Sequence, residues 1–212
     1  MDVVVLGGHG QVARQLLELL AARGDRARGI VRNPDHAEEL RAIGAEPLPG
    51  DVERESITPL VAGADAVVMA AGAGPGSGPE RKRTVDYGGA IALIDAAKAN
   101  GVARYVIVSS MGAGNPDAAA GPMAAYIQAK ADADAAVRES GLDFTIVRPG
   151  RLTDDPGTGR VQAAETLGGR GSITRADTAA VLLAVLDTPS TVGATFEVLE
   201  GETPIAEALA AL

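Results

Sequence analysis

The strongest constraint on the fold lies near the start of the chain, in Val3-Val4-Val5-Leu6-Gly7-Gly8-His9-Gly10-Gln11-Val12-Ala13. The apolar run Val3 to Leu6, mostly β-branched, predicts a parallel strand buried on both faces. Gly7, Gly8 and Gly10 follow, and then a helical pattern with Val12, Leu16, Leu17 and Leu20 on one face and Gln11, Arg14, Gln15 and Glu18 on the other. Glycines in such a turn let the backbone approach a pyrophosphate. The helix start then offers that anion its orphan N–H groups and a positive dipole end. Ala13 is small enough for the helix to sit close on the strand. A strand, a glycine turn and a helix in this order are the context a dinucleotide-binding turn requires.

The rest of the chain extends the pattern. Gly24 closes the first helix, and Arg26 to Val31 reads as a second, less apolar strand. Its end bears on cofactor choice. An NAD site usually places an Asp or Glu there to hold the ribose hydroxyls, whereas this chain has Arg32 and Asn33. A guanidinium pairs with a 2′-phosphate, so the residues favour NADP (NADPH) over NAD. Arg32 also fits a solvated strand-end charge, with Asp35 nearby. A helix from Pro34 to Ile43, a short strand from Ala45 to Leu48, a short helix from Ser56 to Val61 and a buried strand from Ala64 to Ala71 follow. Strand and helix alternating in this way predict an α/β fold with a doubly wound parallel sheet.

Gly72 to Pro79 is rich in glycine and is followed by Arg81-Lys82-Arg83, which reads either as a solvated patch or as an anion-contacting lid. A long helix from Thr84 to Asn100 leads to a fifth strand, Ala103 to Ser109, whose carboxyl end is expected beside that of the first. After a loop comes a helix beginning near Pro122 or Met123 that carries Tyr126 and Lys130, four residues apart and on one face. An ammonium beside a phenol favours the phenolate, which brings a group titrating near 10 toward useful acidity. Ser110 (or Ser109) could hold a carbonyl oxygen beside that phenol while hydride arrives from the cofactor. The alternative is a packed Tyr126 and a solvated Lys130. Gly150 is followed by a loop rich in Gly, Asp and Arg, a helix from Arg175 to Leu186 capped by Thr174 with Asp177, a strand from Thr195 to Leu199 and a last short helix.

Composition removes several classes of function. The 212 residues suffice for one well-buried domain, and the net charge of −9 disfavours nucleic acid and anionic membrane surfaces. With no cysteine there is no disulfide or thiolate site, which fits a cytoplasmic protein, and no signal peptide or spanning segment is read. His9 and His36 are the only histidines, too few for a His-rich metal site, and neither stands in a hydrolase motif. His9 reads as a turn residue or a phosphate neighbour.

Taken together, Gly7-x-x-Gly10-x-x-Ala13, Gly50-Asp51-Val52, Val108-Ser109-Ser110, Tyr126-x-x-x-Lys130 and Val147-Arg148-Pro149-Gly150 resemble the short-chain dehydrogenase/reductase superfamily. The resemblance is to its atypical branch of small bacterial NAD(P)H-binding proteins, the biliverdin-IXβ-reductase-like and NmrA-like group, and it spans essentially the whole chain. It implies a single Rossmann domain over 1–212, with 151–212 as a small C-terminal substrate-side part. It also implies Gly7, Gly8 and Gly10 at the pyrophosphate with the Gln11 and Val12 amides at the helix start, Arg32 at the 2′-phosphate and Asp51 with Val52 at adenine. Ala71 and Gly72 stand where other members carry the end of an Asn-Ala-Ala-Gly run against the cofactor; here that run is Met69-Ala70-Ala71-Gly72. Pro149 would shape the nicotinamide pocket, with Ser109 beside it. Tyr126 would be the general acid, Lys130 its partner and a ribose ligand, and Ser110 the orienting hydroxyl. The implied activity is NADP-dependent reduction of a small carbonyl, quinone or flavin-like acceptor. The alternative is a non-catalytic NADP(H) sensor acting through a protein partner.

Overall fold

Alternating buried strands and amphipathic helices assemble one α/β domain. The computed structural model describes residues 1–74 and 76–212; Pro75, inside the glycine-rich stretch read above, lies outside the described residues, as does the side chain of Pro122. The first half runs β1 (Asp2–Leu6), α1 (Gln11–Arg23), β2 (Arg26–Val31), α2 (Ala37–Ala42), β3 (Glu46–Pro49), β4 (Ala66–Met69), α3 (Pro79–Lys82) and α4 (Gly88–Ala99). Then come β5 (Arg104–Val108), α5 (Ala124–Glu139), β6 (Asp143–Pro149), β7 (Arg151–Thr153), β8 (Arg160–Ala164), β9 (Ser172–Thr174) and α6 (Arg175–Leu186). β10 (Thr195–Glu200), β11 (Thr203–Pro204) and α7 (Ile205–Ala210) complete the chain.

The main sheet has nine strands in the order β11-β8-β10-β6-β5-β4-β1-β2-β3. From β3 to β10 the pairings are parallel, and β8 joins β10 antiparallel. Strand order therefore reverses beside β1, the place where doubly wound sheets open a crevice for a ligand. The expected adjacency of the first and fifth strands is corrected. β4 lies between β1 and β5, because the crossover after β3 returns the chain to the other side of β1.

Alternation along each strand divides the core into two layers. Val3, Val5, Val68, Val106 and Val147 point toward α1 and α6, whereas Val4, Leu6, Val67, Met69, Ile107 and Ile146 point toward α4 and α5. Helix α1 buries Val12, Ala13, Leu16, Leu17 and Leu20 and stops at Gly24, whose φ of 88° lets its N–H reach back to Leu20 and Ala21 carbonyls. Each fully buried leucine contributes about 1.5–3 kcal/mol, so this stripe fixes α1 firmly on the sheet.

Two further expectations change. The long helix expected from Thr84 to Asn100 starts earlier, as α3, and passes through a π-helical turn at Arg83–Tyr87 before continuing as α4. The wider turn rotates Asp86 into the interior, where it is 1% exposed, against the neighbouring helix. The stretch after Gly150, expected as a loop, carries β7, β8 and β9. These strands are three to five residues long and mostly half-exposed, so their apolar signal is faint. The cap expected at α6 is present: Thr174 Oγ1 accepts from the Asp177 N–H at 2.9 Å. No helix among the described residues is long and apolar enough to cross a membrane.

Candidate functional site

The glycine turn is dictated by contacts. Gly7 has a φ of +88°, and a Cβ there would stand 2.5 Å from Ala71 Cα at the end of β4. Gly8 donates its N–H to Ile30 O at 2.9 Å, and a Cβ on it would meet Gly29 Cα at 2.8 Å. Gly8 therefore seats the turn on β2. Gly10 donates to Gly7 O at 2.8 Å and begins α1, with neither a capping side chain nor an acidic residue in the first turn. The first-turn amides of an α-helix lack partners within the helix, so this end is open to an anion. Gln11 is exposed at that start, and Val12 turns its side chain into the core.

A cleft of about 370 Å³ opens at the ends of β1, β2 and β4. Of the residues expected at the cofactor, Gly7, Gly10, Arg32, Asp51, Val52, Ala71 and Gly72 line it. His9, read above as a turn residue or a phosphate neighbour, and Arg81 of the basic run also line it, and the structure adds His36 and Glu53. His9 and His36 stack with ring centroids 3.4 Å apart, which ties the glycine turn to the segment after β2. Glu53 stands between two cations, 3.4 Å from Arg32 Nη1 and 3.3 Å from Arg81 Nη2, and also accepts from Thr84 Oγ1 at 2.6 Å. Arg81 Nε is buried without a hydrogen-bond partner among the described residues.

Two more of the expected residues, Tyr126 and Lys130, lie on one face of α5. Tyr126, Lys130 and Asp134 are spaced by four and form a column. Lys130 is 4% exposed; its Nζ donates to Val108 O at 2.8 Å and lies 3.6 Å from Asp86 Oδ1. Asp86 Oδ2 accepts from the Ala73 N–H at 3.1 Å, so one carboxylate links Lys130 to the segment after β4. One turn outward, Lys82 Nζ lies 5.4 Å from the Tyr126 ring centroid. One turn inward, Arg148 of β6 grips Asp134 Oδ2 through Nε and Nη2, both at 2.9 Å. Burial raises the Asp134 pKa, while Ser109 and Arg148 pull against it.

Ser109 and Ser110 separate. Ser109 is 3% exposed, and its hydroxyl faces the Asp134 carboxylate without reaching hydrogen-bond geometry. Ser110 is half-buried at the start of a 3-10 turn (Met111–Gly114) that packs against α5. Pro149 is buried at the end of β6. Sequence reasoning missed Asp86, Asp134, Glu53 and the role of Arg148. The available signal for Asp134 was a carboxylate among the buried positions of α5, beside Ile127, Ala133 and Val137. Among the described residues no cluster of side chains suited to a metal ion is found.

The family model described as NAD(P)H-binding matches residues 7–189. The chain is 38% identical to the uncharacterized sugar epimerase YhfK of Bacillus subtilis over 99% of each chain. A provisionally named NAD-dependent epimerase/dehydratase of Bacillus halodurans superposes with a TM-score of 0.96 at 41% identity, covering 100% of both chains. The anaerobilin reductase ChuY of Escherichia coli superposes with a TM-score of 0.80 at 25% identity, covering 95% of this chain and 98% of that one. The chain belongs to the NAD(P)H-binding family.

Proposed function

We propose that this member of the NAD(P)H-binding family is an NADP-dependent reductase acting on a small carbonyl, quinone or flavin-like acceptor. The observation that carries the reading is the α5 column, in which Tyr126 stands one turn above a buried Lys130 held by Val108 O and Asp86. The cradle at Gly7 and Gly8, which a Cβ would fill, suits a dinucleotide pyrophosphate. A reduced nicotinamide bound there supplies hydride. The name of ChuY, a reductase, points the same way.

The chain's own residues do the rest. The first-turn amides of α1 hold the pyrophosphate. Arg32 and Arg81 take the 2′-phosphate, with Glu53 giving way as their resident counterion, and Asp51 with Val52 borders adenine. Ser110 orients the acceptor oxygen, and Tyr126 gives it the phenolic proton. Lys130 binds the nicotinamide ribose and favours the phenolate that remains. Residues 151–212 complete the sheet and supply the substrate-side part, with β7 and β9 following Pro149. A cysteine-free chain of this kind fits the cytoplasm.

The test is an acceptor screen monitoring NADPH oxidation, run on the parent and on Tyr126→Phe. Removing a general acid should lower turnover with a carbonyl acceptor by about 10²–10⁴-fold while leaving NADPH affinity unchanged. Lys130→Ala should harm both. Full activity of Tyr126→Phe on a carbonyl acceptor retires the proton-donor role. Tight NADPH binding with no oxidation by any acceptor transfers the reading to a cofactor-binding sensor.

A further inference from the structure

The basic run Arg81-Lys82-Arg83 opens the segment that packs on α5, and its members have different surroundings. Arg81 pairs with Glu53 on the adenosine side, and Arg83 lies over the Tyr87 ring at 5.8 Å. Among the described residues Lys82 has no carboxylate within ion-pair distance. Its Nζ lies 5.4 Å from the Tyr126 ring centroid and 3.4 Å from Ser77 Oγ. Lys82, Ser77 and Tyr126 are all half-buried, so the ammonium is partly desolvated, with the Ser77 hydroxyl and the Tyr126 ring beside it.

A partly desolvated cation gains most from an anion that arrives with the ligand. It also answers a problem posed by the whole molecule. At a net charge of −9 the protein repels anionic acceptors, so a local cation at the reacting group would be needed to admit one. We propose that Lys82, with Ser77, is an anion subsite for the acceptor, beside the Tyr126 ring. The acceptor accordingly carries a carboxylate or phosphate a few bonds from the carbonyl that Tyr126 protonates. This rests on the reading of Tyr126 as the proton donor. The i, i+4 spacing supports it: α3 and its π-helical extension present Lys82 to Tyr126 and Asp86 to Lys130 as successive rungs.

The experiment separates binding from turnover. The NADPH-loaded protein is titrated with benzoate, phenyl phosphate and neutral benzamide, followed by calorimetry and by the fluorescence of bound NADPH. One or both anions should bind more tightly than benzamide, and Lys82→Gln should weaken them by about tenfold or more without changing benzamide or NADPH. Lys82→Arg should retain most of the preference. The better anion identifies carboxylate or phosphate as the natural group. Equal binding of anions and benzamide, anion affinity unchanged in Lys82→Gln, or no binding of any probe overturns the proposal. None of these readings needs hydride transfer. A fully active Tyr126→Phe would therefore remove the proton donor and leave the Lys82 result intact.

Discussion

The glycine turn after β1 and the column on α5 are built by different means. At the turn the backbone is the material: Gly7 and Gly8 press against Ala71 and Gly29 so closely that no side chain fits. On α5 the material is charge: Lys130 answers Asp86, and Asp134 answers Arg148, in an interior that tolerates neither sign alone. The first kind of site is local in sequence and fails by collision. The second joins residues from four elements and fails by leaving a partner behind.

Substitution at the turn should give the largest effect. Gly7→Ala combines a φ of +88° with overlap onto backbone atoms of Ala71. Backbone strain and overpacking of this kind each cost about 1–3 kcal/mol, giving about 2–6 kcal/mol against the turn. Urea denaturation and NADPH titration should both register it. Unchanged values in both would remove steric exclusion as the basis of this half of the site.

Asp134→Ala should come next, because it strands the Arg148 guanidinium in the interior, at a cost of about 3–5 kcal/mol. Replacing both partners, as Asp134→Leu with Arg148→Met, should recover most of that loss in thermal unfolding. A double variant no more stable than the single one would show that the column rests on something other than charge pairing.

Arg32→Ala asks whether the backbone half also uses charge. Loss of a charged hydrogen bond to the 2′-phosphate is worth about 1.5–3 kcal/mol, or roughly 10- to 150-fold in NADPH affinity. NADH, which lacks the phosphate, should be nearly unaffected. Glu53→Gln should move NADPH the other way, since it frees Arg32 and Arg81 from their counterion. Equal losses of NADPH and NADH in Arg32→Ala would make the arginine a general surface charge.

The smallest effect is one of sign. Because burial raises Asp134 in the folded chain, the folded state keeps that proton to higher pH than the unfolded one. Its contribution to stability is therefore largest at acid pH and is lost as pH rises from the unfolded pKa through the folded one. Asp134→Asn cannot titrate. The stability of the parent relative to this variant should fall across that window in denaturation series run from acid to neutral pH. A difference that grows with pH would mean the Arg148 pairing outweighs burial.

The same contrast explains what the sequence disclosed. Strand, glycine turn and helix could be read because their demands fall within a dozen neighbouring residues, and the strand Arg26–Val31 and helix Arg175–Leu186 were placed to the residue. Tyr126 and Lys130 were visible through their spacing. Asp86 was not, because its inward turn depends on a π-helical step that propensity does not mark. Asp134 and Arg148 lie 14 residues apart and meet only once β6 is laid beside β5. Strands β7, β8 and β9 escaped notice because their half-exposed residues borrow their pairing from β10 and from one another.

The far margin of the sheet has a consequence for how the molecule behaves in a crowded solution. β3 reads Glu46-Pro47-Leu48-Pro49, and Gly50 turns its N–H inward to Val31 O. Alternate residues of a strand face alternate sides, so Glu46 and Leu48 also turn inward, and the outward positions fall to Pro47 and Pro49. Proline has no N–H. The outer margin of β3 therefore offers carbonyls with no donors between them, and a strand from a second molecule could form only half a ladder there. At that margin the sheet cannot template its own growth, and protection against aggregation is written into two residues that do not line the crevice at the glycine turn.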